Sequence, residues 1–123
     1  MVEKNILIID SSDFGKETAK MTLEEAGFKV ITANEGMEGL YKLKREKIDL
    51  IIVELALSGL DGFGILSIVK NDPATKHIPV LVLTDRDTRE EKEEALNLGA
   101  VDCVVKYRLP PVELLKIVRT ILE

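Results

Sequence analysis

Ile48-Asp49-Leu50-Ile51-Ile52-Val53-Glu54 is an almost unbroken apolar run that ends in a carboxylate, and Leu55-Ala56-Leu57-Ser58-Gly59-Leu60-Asp61-Gly62 follows it. An apolar run of this length, bounded by turn residues, predicts a strand buried on both faces. Open α/β sheets hold their ligand sites outside the carboxyl ends of such strands, which is where Glu54 falls.

Outward from this run, strand-like and helix-like segments alternate five times along the 123 residues. The strands are predicted at residues 5–10, 28–32, 48–54, 80–84 and 101–106. Four are rich in Val, Ile and Leu without polar alternation, as parallel strands covered by helices require. Lys29 and Thr32 mark residues 28–32 as an edge strand. The first helix is predicted at residues 12–26 and stops at Gly27, a residue suited to the left-handed position after a helix. The second, residues 35–45, contains Gly36 and Gly39, each about 1 kcal/mol less favourable than Ala in a helix, and is expected to be among the least rigid. The fourth opens with the capping-box spacing Thr88-Arg89-Glu90-Glu91 and ends at Gly99. The fifth begins after Pro110-Pro111. Its Leu114, Ile117, Val118 and Ile121 form a core-facing stripe that Leu115 and Leu122 widen. The alternation predicts an α/β fold, a five-stranded parallel sheet with helices on both faces, in one domain spanning residues 1–123.

Hydrophobic residues at 46% and charged residues at 32% describe a folded, soluble chain rather than a disordered one. A formal charge of −5 argues against direct nucleic-acid binding, which needs a basic face. No apolar stretch reaches the length of a membrane span, and no signal peptide precedes the first strand. The lone Cys103 excludes an internal disulfide, so a cytoplasmic location is expected.

Polar residues gather at the predicted carboxyl ends of the strands: Asp10 and Ser11, then Glu54, then Thr84 and Asp85, then Lys106. In a parallel sheet these ends share one edge. Each residue also has a plain structural reading. Asp10 or Ser12 can be a helix cap, Thr84 a β-branched strand residue, and Lys106 an exposed strand end. Their coincidence favours a site. Cys103 reads as a small buried residue, and His77 as an inert loop residue without metal-binding neighbours.

With these residues in view the chain resembles a known family, the receiver domains of two-component response regulators. The resemblance runs through Ile6-Leu7-Ile8-Ile9-Asp10-Ser11-Ser12, Leu23-Glu24-Glu25-Ala26-Gly27-Phe28, Asp49-Leu50-Ile51-Ile52-Val53-Glu54, Leu60-Asp61-Gly62-Phe63, Asp72-Pro73-Ala74-Thr75, Ile78-Pro79-Val80-Leu81-Val82-Leu83-Thr84, Leu98-Gly99-Ala100 and Val104-Val105-Lys106. It implies a doubly wound, flavodoxin-like sheet of order 2-1-3-4-5. Family members accept a phosphoryl group from a histidine kinase on an aspartate ending the third strand. Two acids after the first strand help hold Mg²⁺. A hydroxyl residue after the fourth strand and a lysine after the fifth contact the phosphoryl oxygens, and an aromatic residue on the fifth strand reports the switch.

Matched residue by residue, Asp10 keeps the first acid, Thr84 the hydroxyl and Lys106 the cation. Glu54 stands at the phosphoacceptor position, Ser11 at the second acid, Cys103 at the aromatic switch, and Tyr107 where a proline usually follows the lysine. These departures set the expectations. Glu54 reaches towards Lys106 and Thr84 as a partial mimic of a phosphorylated aspartate. A Mg²⁺ site at Asp10 and Glu54 is weakened or lost, and no cofactor is required. The Lys106–Tyr107 bond is trans. The resemblance implies a signalling module rather than an enzyme, with at most weak Mg²⁺-dependent self-phosphorylation. Its partner is expected to be a histidine kinase or downstream effector, met through the face of helix four, strand five and helix five. Tyr107 and Arg108 are the interface candidates there, and that face could also form a homodimer. Two readings stay open at this stage: a receiver still phosphorylated on Glu54, and a dimerisation module of a longer regulator.

Overall fold

Apolar runs and helical segments alternate in space as they do along the chain. The computed structural model describes residues 3–106 and 109–123. Its elements are β1 (Asn5–Ile9), α1 (Asp13–Glu25), β2 (Lys29–Ala33), α2 (Gly36–Arg45), β3 (Leu50–Glu54), α3 (Gly62–Asn71), β4 (Val80–Thr84), α4 (Arg89–Asn97), β5 (Asp102–Val105) and α5 (Pro111–Leu122). All strand pairings are parallel and the order is β2-β1-β3-β4-β5, so β2 is an edge. Several boundaries lie a residue or two inside those predicted. Ile48 and Asp49 precede β3, and the Asp49 carboxylate instead accepts from the Asn5 amide at 2.8 Å. Asp10 and Lys106 lie just beyond the strands and enter loops. No helix among the described residues is long and apolar enough to cross a membrane.

Alternation along the strands divides the core into two layers. Leu7, Ile9, Ile51, Val53, Val80, Val82 and Cys103 pack with Leu43, Ile65, Leu66, Val69 and Ala95 of α2, α3 and α4. Ile6, Ile8, Leu50, Ile52, Leu81 and Leu83 pack with Leu23, Leu114 and Val118 of α1 and α5. Every residue of β3 and β4 is buried, which explains their unbroken apolar character. Ile117, Ile121, Leu115 and Leu122 are half-buried against the second layer, so the wide stripe of α5 serves packing.

Helix ends follow their local chemistry. Ser12 caps α1 through its hydroxyl, Asp61 caps α3 and Thr88 caps α4. Gly27 takes φ of 99° after α1, the left-handed conformation its position predicted. The glycines of α2 are close-packing positions. A Cβ at Gly36 would run into the Leu60 carbonyl, and one at Gly39 into the side chain of Ile9.

Candidate functional site

Strand parity decides which polar residues can meet. Side chains alternate between sheet faces. Asp10 follows Ile8 by two residues, Glu54 follows Ile52, and Lys106 follows Val104. Ile8, Ile52 and Val104 all belong to the α1/α5 layer. Thr84 follows Val82 on the opposite layer, while Glu54 stands in register with Leu83. Asp10, Glu54 and Lys106 therefore share one side of the sheet edge, and Thr84 faces the other.

The three charged residues meet in one cluster. Lys106 Nζ lies 2.6 Å from Oε2 of Glu54, and 2.9 and 2.7 Å from Oδ1 and Oδ2 of Asp10. Ser11 donates from Oγ to Oε1 of Glu54 at 2.6 Å, supported by its amide at 3.4 Å. The Ser12 amide donates to Oδ1 of Asp10 at 2.8 Å. Every carboxylate oxygen of the pair thus accepts at least one hydrogen bond. Asp10 and Glu54 are buried, and the Lys106 side chain is 21% exposed. Buried carboxylates need such donors, because unpaired burial of a charge is expensive.

The backbone below Glu54 is equally constrained. Leu55 N donates to Leu83 O at 2.7 Å, and Gly62 N to Leu55 O at 2.9 Å. A Cβ on Gly62 would stand 2.8 Å from the Glu54 carbonyl oxygen, so glycine lets α3 start directly against the strand end.

The electrostatics differ between the two acids. Burial opposes charge on Glu54, but hydrogen bonds with Lys106, Ser11 and Asp10 outweigh it and hold its carboxyl below the ordinary value. At Asp10 burial dominates. Despite help from Lys106 and the Ser12 amide, its pKa is pushed up, and the neighbouring Glu54 adds to the rise. Burial also works against the Lys106 charge, yet the two carboxylates overcome it and raise the ammonium's pKa.

Thr84 belongs to a different network. Its hydroxyl donates to Oε1 of Glu91 at 3.3 Å and accepts from the Arg86 amide at 3.1 Å, while Arg86 pairs with the other oxygen of Glu91. The expected approach of Glu54 to Thr84 is replaced by contacts to Ser11 and Lys106, because Thr84 lies on the α4 side. Thr88 caps the Glu91 amide, but the Glu91 side chain turns to Thr84 and Arg86, so that network uses the second half of the predicted capping box.

Two crevices border these networks. The larger, about 650 Å³, is lined by the polar residues Asp10, Ser11, Glu54, Asp85 and Lys106 and by apolar ones including Ile8, Ile52, Leu83 and Leu114. The smaller, about 300 Å³, has Thr84, Arg86 and Cys103 in its wall. Cys103 is buried, and burial raises its thiol pKa. His77 is exposed in the loop before β4. Tyr107, Arg108 and the bond joining Lys106 to Tyr107 lie outside the described residues.

Sequence reasoning missed Lys16, a buried lysine on α1. Its ammonium bonds Asn34 Oδ1 and lies 3.2 Å from Asp13, tying α1 to the loop after β2. It also passed over Glu91 as a partner of Thr84. The signal available for Glu91 was its place in the first turn of α4, seven residues after a strand-end hydroxyl.

The family to which the resemblance points uses Mg²⁺, and the donors present do not fit that ion. Mg²⁺ demands near-octahedral oxygen ligation at about 2.0–2.1 Å. Here both carboxylates face one ammonium, and a serine stands where a further acid would complete the set. Among the described residues no group of three or more His, Cys, Asp or Glu converges to hold a metal.

Residues 6–119 match the family model described as the response regulator receiver domain. The chain is 32% identical over 101 residues to the response regulator PleD of Caulobacter vibrioides, covering 82% of this chain and 22% of that protein. It is 34% identical over 105 residues to the alkaline phosphatase synthesis transcriptional regulatory protein PhoP of Bacillus subtilis, covering 85% of this chain and 43% of that protein. The chain therefore spans less than half the length of these relatives. The structure of the chemotaxis response regulator CheY4 of Vibrio cholerae superposes with a TM-score of 0.91 at 30% identity, covering 98% of this chain and all of that one.

Proposed function

We infer that this chain, which belongs to the response regulator receiver domain family, is an atypical receiver working through protein contacts, with Glu54 standing permanently where the phosphoacceptor aspartate stands in its relatives. The observation that carries this reading is the 2.6 Å contact between Lys106 and Glu54. The lysine expected to meet phosphoryl oxygens already meets a carboxylate. Phosphoryl transfer depends on positioning and charge stabilisation, and misplacement of about 1 Å can lower a rate about 10²-fold. Glutamate is one methylene longer than aspartate, and its second oxygen is held by Ser11. As a mimic it supplies about one negative charge against the roughly two of a phosphoryl group.

Two-component signalling is the setting in which receiver domains meet histidine kinases and effectors. For this chain the partner face is that of α4, β5 and α5, where Leu96 of α4 is an exposed apolar side chain. A homodimer through that face is a narrower form of the same reading, and the cytoplasmic location expected from the sequence goes with it. Self-phosphorylation at Glu54 is at most weak.

The test is an amide NMR spectrum recorded before and after addition of acetyl phosphate with Mg²⁺. The atypical receiver keeps the α4, β5 and α5 signals where they were. Signals that move together with formation of a phosphoryl adduct on Glu54 would establish the working receiver instead.

A further inference from the structure

Lys106 occupies the position from which a cation neutralises this pocket. Its ammonium touches both oxygens of Asp10 and one of Glu54, at 2.6–2.9 Å. The side chains of Asp10 and Glu54 are 3% and 7% exposed, so the contact is an internal one. Gly15, in the first turn of α1, faces the same cluster: a Cβ there would stand 3.6 Å from both Lys106 Cε and Asp10 Oδ2, an ordinary contact distance. Two carboxylates against one ammonium leave a single net negative charge, and Ser11 adds a neutral hydroxyl rather than a third acid.

We propose that the Lys106 ammonium is the resident cation of this pocket, replacing a divalent ion, so that the cluster assembles without Mg²⁺ and does not take it up. The inference rests on reading the cluster as a remodelled acceptor site. It adds the cause of the lost metal dependence. An entering Mg²⁺ would need the same carboxylate oxygens at a shorter distance. It would have to expel the ammonium from both acids, leaving a partly buried positive charge beside a double one. A third carboxylate could offset that repulsion, and Ser11 cannot.

The experiment uses the whole chain, with MgCl₂ and MnCl₂ as probes at constant ionic strength. For the wild type, millimolar Mg²⁺ leaves the thermal midpoint and the amide signals of Asp10, Ser11, Glu54 and Leu55 unchanged, and Mn²⁺ does not selectively broaden those signals. In Lys106→Met the two acids are freed. Mg²⁺ then raises the midpoint saturably, and Mn²⁺ broadens the same four signals first. Saturable Mg²⁺ shifts centred on Asp10 and Glu54 in the wild type overturn the proposal, as does a folded Lys106→Met protein that ignores both ions. The wild-type Mn²⁺ measurement decides even if the variant fails to fold. Magnesium binding without a phosphoryl adduct would defeat this inference alone, whereas an adduct on Glu54 would defeat the functional reading.

Discussion

At the scale of single residues, the cluster depends on one ammonium serving two acids. Lys106→Met keeps an unbranched stem but removes the ammonium and leaves two buried carboxylates facing each other, and breaking such a pair costs about 3 kcal/mol or more. Urea denaturation of the two proteins at neutral pH measures this difference. The pH dependence has a definite sign. The folded pKa of Lys106 lies above its ordinary 10.5, so its contribution is complete below that value and is lost as pH rises through the folded one. On the acid side two effects oppose each other. Glu54, held below its ordinary 4.5, loses stabilisation as pH falls through its folded pKa, whereas Asp10, raised above 3.8, favours the fold as it takes up a proton. The alkaline limb is therefore the clean measurement. Thermal midpoints followed upward from neutral pH should fall more steeply for the wild type than for Lys106→Met, and parallel curves would contradict the ion-pair account.

At the scale of elements, the site is held by helix starts. α3 begins against the Glu54 carbonyl because Gly62 has no Cβ, and a methyl there meets backbone 2.8 Å away on both Glu54 and Leu55. Gly62→Ala should destabilise by about 1–3 kcal/mol, the usual cost of overpacking, visible as a lower urea midpoint at unchanged slope. α4 is tied to β4 through Glu91, Thr84 and Arg86. Glu91→Ala should cost about 1 kcal/mol and speed hydrogen exchange in the first turn of α4, leaving β1 and β3 protected as before. Unchanged exchange in α4 would show that the contact holds nothing in place. The sequence spacing Thr88-Arg89-Glu90-Glu91 announces the helix start, and Thr88 does cap it. The destination of the Glu91 side chain was not legible, because it depends on where β4 ends relative to α4. For α2, propensity carried only part of the account: Gly36 and Gly39 lower the helix propensity of the segment, and their packing use emerges only once Leu60 and Ile9 stand against them.

At the scale of the whole molecule, the sheet was readable because its inner strands β1, β3 and β4 are buried on both faces and so announce themselves as apolar runs. The edge position of β2 was readable for the opposite reason, its Lys29 and Thr32. The site was readable as a location and only partly as a network. Asp10, Glu54 and Lys106 meet because each lies an even step from a residue of the α1/α5 layer, whereas Thr84 lies an even step from Val82 of the other layer. That parity was present in the sequence, but it separates the residues only once the register of β3 against β4 is known. The central claim is that Glu54, locked by Lys106 and Ser11, does not accept a phosphoryl group in an otherwise receiver-like frame. Its most direct test is the intact mass of two proteins treated side by side with acetyl phosphate and Mg²⁺, the wild type and the double variant Glu54→Asp with Ser11→Asp. The account predicts an unmodified wild type and one added phosphoryl group on the double variant; a stoichiometric phosphoryl adduct on wild-type Glu54 would contradict it.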